Sequence, residues 1–385
     1  MNKLLFWIIA LTALAISAVA LAPPLNTEKI AGIEQPKPLP NRTASIEQFY
    51  ADLRIVDMHA DSLLWVRDLS KRSTSGQVDF PRLIDANVTL QFFMAVVESP
   101  NDITSDSIDE IGDQITQITV LDKWPLRTWG SRYERAEHLA RRLHEYQKRS
   151  AGSVEIIKSR GDLMRYLNKR ASDPNMTAAL LGIEGAHPTE WDIDRIADLY
   201  TLGYRSISLA HYSDTPFVGS SSGVEKGGLT PLGAEAVKEM DRLGMLIDVA
   251  HVSETGIEDI LQITSTPVLV THVGVRATCP SARNLSDATI EAIADNGGVI
   301  GIGFFIEATC SFSADAVVDA IEHTRNLVGA DHVALGSGFD IAPMPIGLSD
   351  LSVLVQLMTD RGFSEQEIRA IMGENVLNLI LQVLE

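Results

Sequence analysis

His59 and Asp61 stand two positions apart at the end of the run Ile55-Val56-Asp57-Met58. In a strand both side chains point to the same side and can reach one metal ion. Glu184 ends Ala178-Ala179-Leu180-Leu181-Gly182-Ile183, His251 ends Leu246-Ile247-Asp248-Val249-Ala250, and His272 ends Val268-Leu269-Val270-Thr271. A carboxylate at the end of an apolar run is costly to leave unpaired, and its two oxygens suit it to bridging two cations. Two imidazoles from neighbouring strands could take the second ion, each oriented by an acceptor on its other nitrogen. Singly, each of these residues has a plain alternative: a chance pair, a rim salt bridge, a satisfied core histidine. Ligand types repeated at the ends of successive apolar runs favour the metal reading.

Further polar residues reach the same kind of position and are not needed as ligands. His211 follows Ser206-Ile207-Ser208-Leu209-Ala210, and Asp340 follows Val333 to Phe339. A spare imidazole can stabilise an oxyanion, and a spare carboxylate can carry a proton from attacking water to leaving amine; otherwise both would only support the ligands. Arg283, in the loop after the run bearing His272, could grip a substrate carboxylate with two hydrogen bonds. His187, three residues beyond Glu184, is at most a supporting group. His138, His144 and His323 fall on charged helical stretches, and His332 precedes a strand.

These residues need strands that end together. Strand-like runs occur at 54–58, 88–97, 178–184, 206–210, 245–250, 267–271, 298–304 and 332–337, with amphipathic stretches between them such as Leu232 to Leu243. Eight β/α alternations predict an α/β fold, a (β/α)8 TIM barrel with its chemistry at the C-terminal mouth. The long interval at about 100–176 reads as a helical insertion beside the barrel. Ser364 with Glu367 has the form of a capping box opening a last helical segment.

The chain has 385 residues, 45% hydrophobic and 22% charged, which suits one large folded domain. With 32 Lys+Arg against 51 Asp+Glu the net charge is -19, which disfavours nucleic acid or an anionic membrane surface as partner. Residues 1–22 run apolar from Leu4 and carry Lys3 and an Ala18-Val19-Ala20 triplet, as a signal peptide or an uncleaved N-terminal membrane anchor would. Residues 23–44 are proline-rich and read as an extended tether, with a single folded domain over 45–385. An exported, periplasmic or extracellular-facing protein follows, touching membrane only through the N-terminal segment if that is uncleaved. The two cysteines, Cys279 and Cys310, form no CxxC or Cys/His arrangement. In an exported chain they could pair or be two unrelated core residues.

The segments Asp57-Met58-His59-Ala60-Asp61-Ser62-Leu63, Gly182-Ile183-Glu184-Gly185-Ala186, Leu209-Ala210-His211 through Thr215-Pro216, Gly228 to Gly233, Leu246 to Ser253, Thr271-His272 and Arg283-Asn284 occur in this order. Together they resemble the membrane (renal-type) dipeptidase family of zinc peptidases, from about position 50 to the C-terminus. The resemblance implies two Zn2+ per chain in an amidohydrolase-like barrel, with His59 and Asp61 on one ion, His251 and His272 on the other, and Glu184 bridging. It implies His211 and Arg283 as substrate contacts and Asp340 as the proton-transfer group. The family cleaves dipeptides and tolerates a D-residue at the C-terminal position, and some members open β-lactams. The cysteine spacing after His272 also resembles a family disulfide, implying a Cys279–Cys310 pair. The second disulfide of animal relatives has no counterpart, and neither the 100–150 insertion nor Phe304 to Glu307 follows the animal pattern.

The expected activity is therefore a metallo-dipeptidase in which a hydroxide between two zinc ions attacks the peptide carbonyl, with other divalent ions open as replacements. Arg283 holding the free carboxylate would explain a preference for dipeptides. Two alternatives stand beside it: another amide, lactone or phosphoester hydrolase on the same barrel, and a non-catalytic exported binding protein. A homodimer is left open by the sequence.

Overall fold

A computed structural model describes residues 24–31, 33, 36, 42–101, 103, 107–109 and 112–385. Its strands are β1 (Ile55–Ala60), β2 (Val88–Val96), β3 (Val154–Ile156), β4 (Thr177–Glu184), β5 (Tyr204–Ser208), β6 (Leu246–Asp248), β7 (Leu269–Val273), β8 (Val299–Ile302) and β9 (Val333–Leu335). All pair in parallel, in the order β2, β1, β9, β8, β7, β6, β5, β4, and β4 closes the ring onto β2 from Leu90↔Ala178 to Val96↔Glu184. The result is the expected TIM barrel, with every expected strand end within two residues of the observed one. The eight ring strands are buried along their whole length, as strands covered on both faces must be. That burial is why they read as continuous apolar runs.

Helices cover the ring, and several open on a side-chain cap just beyond the mouth. Thr230, Ser253, Ser286 and Ser313 accept from the third residue onward at the starts of Pro231–Arg242, Glu254–Ile263, Asp287–Asp295 and Ala314–Val328. The capping box of Ser364 and Glu367 is formed. Below the barrel, Val376, Ile380 and Val383 of the helix Asn375–Val383 pack with Val56, Leu90 and Met58. That floor leaves the C-terminal mouth as the entrance.

Two expectations are corrected. The insertion holds the helices Gln114–Leu121, Arg132–Arg149 and Arg160–Arg170, but also β3, which pairs Val154↔Thr177 to Ile156↔Ala179. Since β2 occupies one edge of the same β4 residues, β3 lies on the other, ahead of the point where Tyr204 of β5 meets Leu181. Three residues are too short a run to show a period. The supposed tether is docked in part: Thr27–Ile30 is a short helix with Thr27 and Glu28 buried, because Thr27 bonds Asp122 at the end of the insertion helix Gln114–Leu121 and Glu28 pairs with Arg67 in the loop after β1. The remainder of the tether is described only at a few positions, and the export segment lies outside the described residues. Among the described residues no helix is long and apolar enough to cross a membrane.

Candidate metal centre

Glu184, the last residue of β4, is the hub of the mouth. Its Oε1 lies 2.8 Å from His251 Nε2 and 3.2 Å from His272 Nε2, and its Oε2 lies 3.5 Å from His211 Nε2 and 3.8 Å from His59 Nε2. Asp61 Oδ1 is 3.3 Å from His59 Nε2, so the two-residue spacing does bring that pair together. Among the described residues, two sets of ligand-type atoms fall within 4.8 Å of one another, His59–Glu184–His272 and Glu184–His211–His251, all buried. They share Glu184. His251 Nε2 and His272 Nε2 lie 3.1 Å apart on the Oε1 side, His59 lies on the Oε2 side, and the groupings also bring in His211.

Several atoms here are buried without a hydrogen-bond partner: both ring nitrogens of His59, Asp61 Oδ1 and His251 Nδ1. Buried polar atoms are normally paired, and such a concentration of nitrogen and carboxylate donors fits divalent cations of the zinc type. The imidazole tautomers agree. His211 Nδ1 donates to the Glu98 carbonyl at 3.1 Å, which leaves the Nε2 lone pair facing the Glu184 carboxylate. Thr271 Oγ1 donates to Asp248 at 2.7 Å and so accepts from His272 Nδ1 at 3.2 Å, again turning an Nε2 lone pair to the centre. Two lone pairs facing a carboxylate repel it unless a cation lies between them.

Burial pushes His251 and His272 well below the ordinary imidazole value, aided by Arg283 and His59 respectively, and burial also lowers His211. Neutral imidazoles are the ligating form. Burial would also lower His59, but the carboxylates of Glu184 and Asp61 outweigh it and raise its value to about 9. Burial would raise the Glu184 carboxyl, yet His211 and His59, with the His251 and His272 rings against its Oε1, hold it well below the carboxylate range. A cation and a proton therefore compete for His59.

Arg283 lies against the centre, its Nη2 2.9 Å from the His272 carbonyl and 3.0 Å from His272 Nε2. Asp340 is fully buried and held by three donors: Ser62 Oγ, the Arg67 guanidinium and Gln77 N, the last at 2.6 Å. Both His251 (φ 65°) and Asp340 (φ 68°) have left-handed backbone, a local cost of about 1–3 kcal/mol each that aims side chains from strand ends. A cavity of about 180 Å³ opens over Asp61, Glu184, His211, Tyr212 and Asp340. Gly185 has φ +79°, and a Cβ there would come within 2.5 Å of His187 Nδ1 and 3.0 Å of His211 Cβ, so glycine permits the sharp exit from β4. His187 is buried beside His211, whereas His332 bonds the Gly298 carbonyl below the barrel.

The residues not anticipated are mostly those that hold others. Asp57 accepts from Gln91 Nε2 (2.6 Å), Ser337 N (2.7 Å) and Ser337 Oγ (2.8 Å), joining β1, β2 and the end of β9 under the ligands. Its place two before His59 was a usable signal; Arg67, Gln77 and Tyr212 carried none. Cys279 and Cys310 are joined as a disulfide with Cα atoms 5.2 Å apart, between the loops after β7 and β8.

Residues 43–385 match the model of the family "Membrane dipeptidase (Peptidase family M19)". The chain is 29% identical over 322 residues to Dipeptidase tcpJ of Claviceps purpurea (strain 20.1), covering 81% of this chain and 70% of that protein. To Dipeptidase 3 of Mus musculus it is 27% identical over 354 residues, 86% of this chain and 65% of that one. Its fold is similar, at TM-score 0.70 and 22% identity, to a metallopeptidase from Rhodobacter sphaeroides solved with a phosphinate mimic of the dipeptide L-Ala-D-Ala, over 86% of this chain and 99% of that one.

Proposed function

Because this chain belongs to the membrane dipeptidase family, peptidase family M19, and is a metal-dependent dipeptidase, we propose that it works as an exported zinc enzyme on dipeptides, including those with a C-terminal D-residue. The observation that carries the metal part is Glu184, one carboxylate within 3.8 Å of four imidazole nitrogens. His59 and Asp61 would hold one ion, His251 and His272 the other, with Glu184 shared. When bound, the ions would supply Lewis acidity and an activated water.

The chain's own residues divide the remaining work. His211 holds its Nε2 toward the cavity and, when that nitrogen also carries a proton, would donate to the oxygen that gains charge as the carbonyl is attacked. Arg283 takes the substrate's free carboxylate, which favours dipeptides over longer chains. Asp340 accepts a proton on its carboxylate and returns it to the leaving amine. Tolerance of a D-residue is in keeping with the ligand of the Rhodobacter enzyme. Export is supported by the Cys279–Cys310 disulfide, since such bonds persist in oxidising compartments.

The test is to purify the protein, quantify its metal, and measure hydrolysis of L,L- and L,D-dipeptides before and after chelation. Glu184→Ala should lose metal and activity together. Asp340→Asn should keep its metal yet turn over about 100-fold more slowly. An Asp340→Asn enzyme as fast as the parent would remove the proton-transfer role, and inert L,D-dipeptides would remove the tolerance of a C-terminal D-residue.

A further inference from the structure

Residues 25–31 and Ile33 lie at the mouth of the barrel, Ala31 lining the cavity, and are fastened at three points. Leu25 N donates to the Leu121 carbonyl at 3.2 Å. Thr27 is buried and bonds the buried Asp122 twice, through its backbone N (3.1 Å) and its hydroxyl (2.5 Å). Gly76 N donates to the Ile33 carbonyl at 3.2 Å. Between these fixings Glu28 points inward. It is 0% exposed, its Oε1 pairs with Arg67 Nη1, and its Oε2 accepts from Ser75 Oγ at 3.1 Å.

Arg67 is the link to the chemistry. Its Nη2 pairs with Asp340 Oδ2 and donates to the Val78 carbonyl at 2.8 Å. One guanidinium thus lies between two buried carboxylates, Glu28 from the strap and Asp340 from the cavity that also exposes Glu184 and His211. Ala31 of the strap lines that same cavity. The loop that carries Ser75 is shaped to the pair: Gly76 has φ +65°, and a Cβ there would meet Arg67 Nη1 at 2.0 Å and Glu28 Oε1 at 2.5 Å. Only glycine lets the chain pass so close.

We propose that Glu28 is a positioning residue of the active site, acting through Arg67 on Asp340, and that the strap carrying it belongs to the catalytic domain. The physical reason lies in the geometry. Anchored through Nη2 alone, to Asp340 and the Val78 carbonyl, the Arg67 fork could turn about those contacts. With Glu28 taking Nη1 on the other side, the fork is held in one orientation and fixes the direction of the Asp340 carboxylate. A buried Glu28 with no such function would cost its desolvation for no gain that an apolar residue could not match.

This inference rests on the proposed role of Asp340, and the experiment keeps the two apart. Glu28→Gln retains the size and the Ser75 hydrogen bond but removes the charge. In the full chain it should lower kcat for an L,L-dipeptide about tenfold, with KM within about twofold and with metal content and Tm nearly those of the parent. Added to Asp340→Asn, whose residual turnover is read at high enzyme concentration, it should lower the rate less than twofold further. If Glu28→Gln does not fold, Glu28→Asp, one methylene shorter with its charge kept, should show the same split between kcat and KM. An unchanged kcat in Glu28→Gln beside a slow Asp340→Asn overturns the strap's role alone. So does a full tenfold loss multiplied onto Asp340→Asn. An Asp340→Asn enzyme with parental kcat overturns the role of Asp340 instead.

Discussion

Arg283 comes to the metal centre from a loop, and its contacts there decide how it should be tested. Its Nη2 is held by the His272 carbonyl at 2.9 Å, so recognition of a substrate carboxylate must come mainly from the remaining donors of the fork. Lysine has no fork to divide in this way. Arg283→Lys should raise KM for dipeptides about 10- to 100-fold, the effect of about 1.5–3 kcal/mol in charge-assisted hydrogen bonds, with kcat little changed. A dipeptide amide, lacking the carboxylate, should show the high KM with the parent enzyme and no further rise with the variant; equal sensitivity of both substrates would refute the contact. The same scale shows what a sequence can and cannot convey. His59, Glu184, His251 and His272 were legible because each interrupts or ends an apolar run, where a polar side chain needs a reason. Arg67 and Glu28 were not, because in a loop and in a proline-rich stretch a charged residue looks solvated. Their burial arises only when two segments meet across the mouth.

At the scale of elements, the site is a set of strand ends whose exit loops are bound to one another. The loops after β7 and β8 are joined by Cys279–Cys310, and Asn284 Nδ2 donates to the Cys279 carbonyl (2.8 Å) and the Glu307 carbonyl (3.1 Å). Arg283 sits next to that Asn284, so the crosslink orders the residue that meets the substrate. Its two cysteines are 31 positions apart, and loop closure of that length constrains the unfolded chain by about 3–4 kcal/mol. Cys279→Ser with Cys310→Ser should lower Tm on the order of 5 °C and raise KM more than it lowers kcat, because the loop and not the metal centre loosens. A double variant with parental Tm and KM would show the bond to be idle. The barrel itself was readable, since parallel strands covered on both faces give unbroken apolar runs. β3 was not: Val154, Glu155 and Ile156 gain their strand character from the edge of β4 alone.

For the whole molecule, the question is where the working enzyme begins. The composition of residues 23–44 suggests a spacer that could be discarded, and the helix Ala44–Ala51, capped by Thr43 and preceded by Arg42 paired with Asp350 at 3.1 Å, looks like a natural first element. Against this, Thr27 and Glu28 are buried on the far side of that spacer. A segment tied at Leu121, Asp122, Gly76 and Arg67 and lining the cavity through Ala31 should stay in place however the export segment is handled. Cleavage near Ala20, or retention of residues 4–22 as an anchor, leaves the strap intact in either case. Two shortened chains separate spacer from strap, one starting at residue 21 and one at residue 41, the latter keeping Arg42 and the cap at Thr43. Both should fold and hold the same metal content, since none of His59, Asp61, Glu184, His251 and His272 is removed. The longer should match the full chain in kcat. The shorter should lose about tenfold or more, as Glu28→Gln does, and its Tm should fall by a few degrees as Asp122 and Arg67 are exposed to water. Equal turnover by the two chains would show that catalysis needs nothing before Arg42 and would return residues 24–33 to the status of a tether.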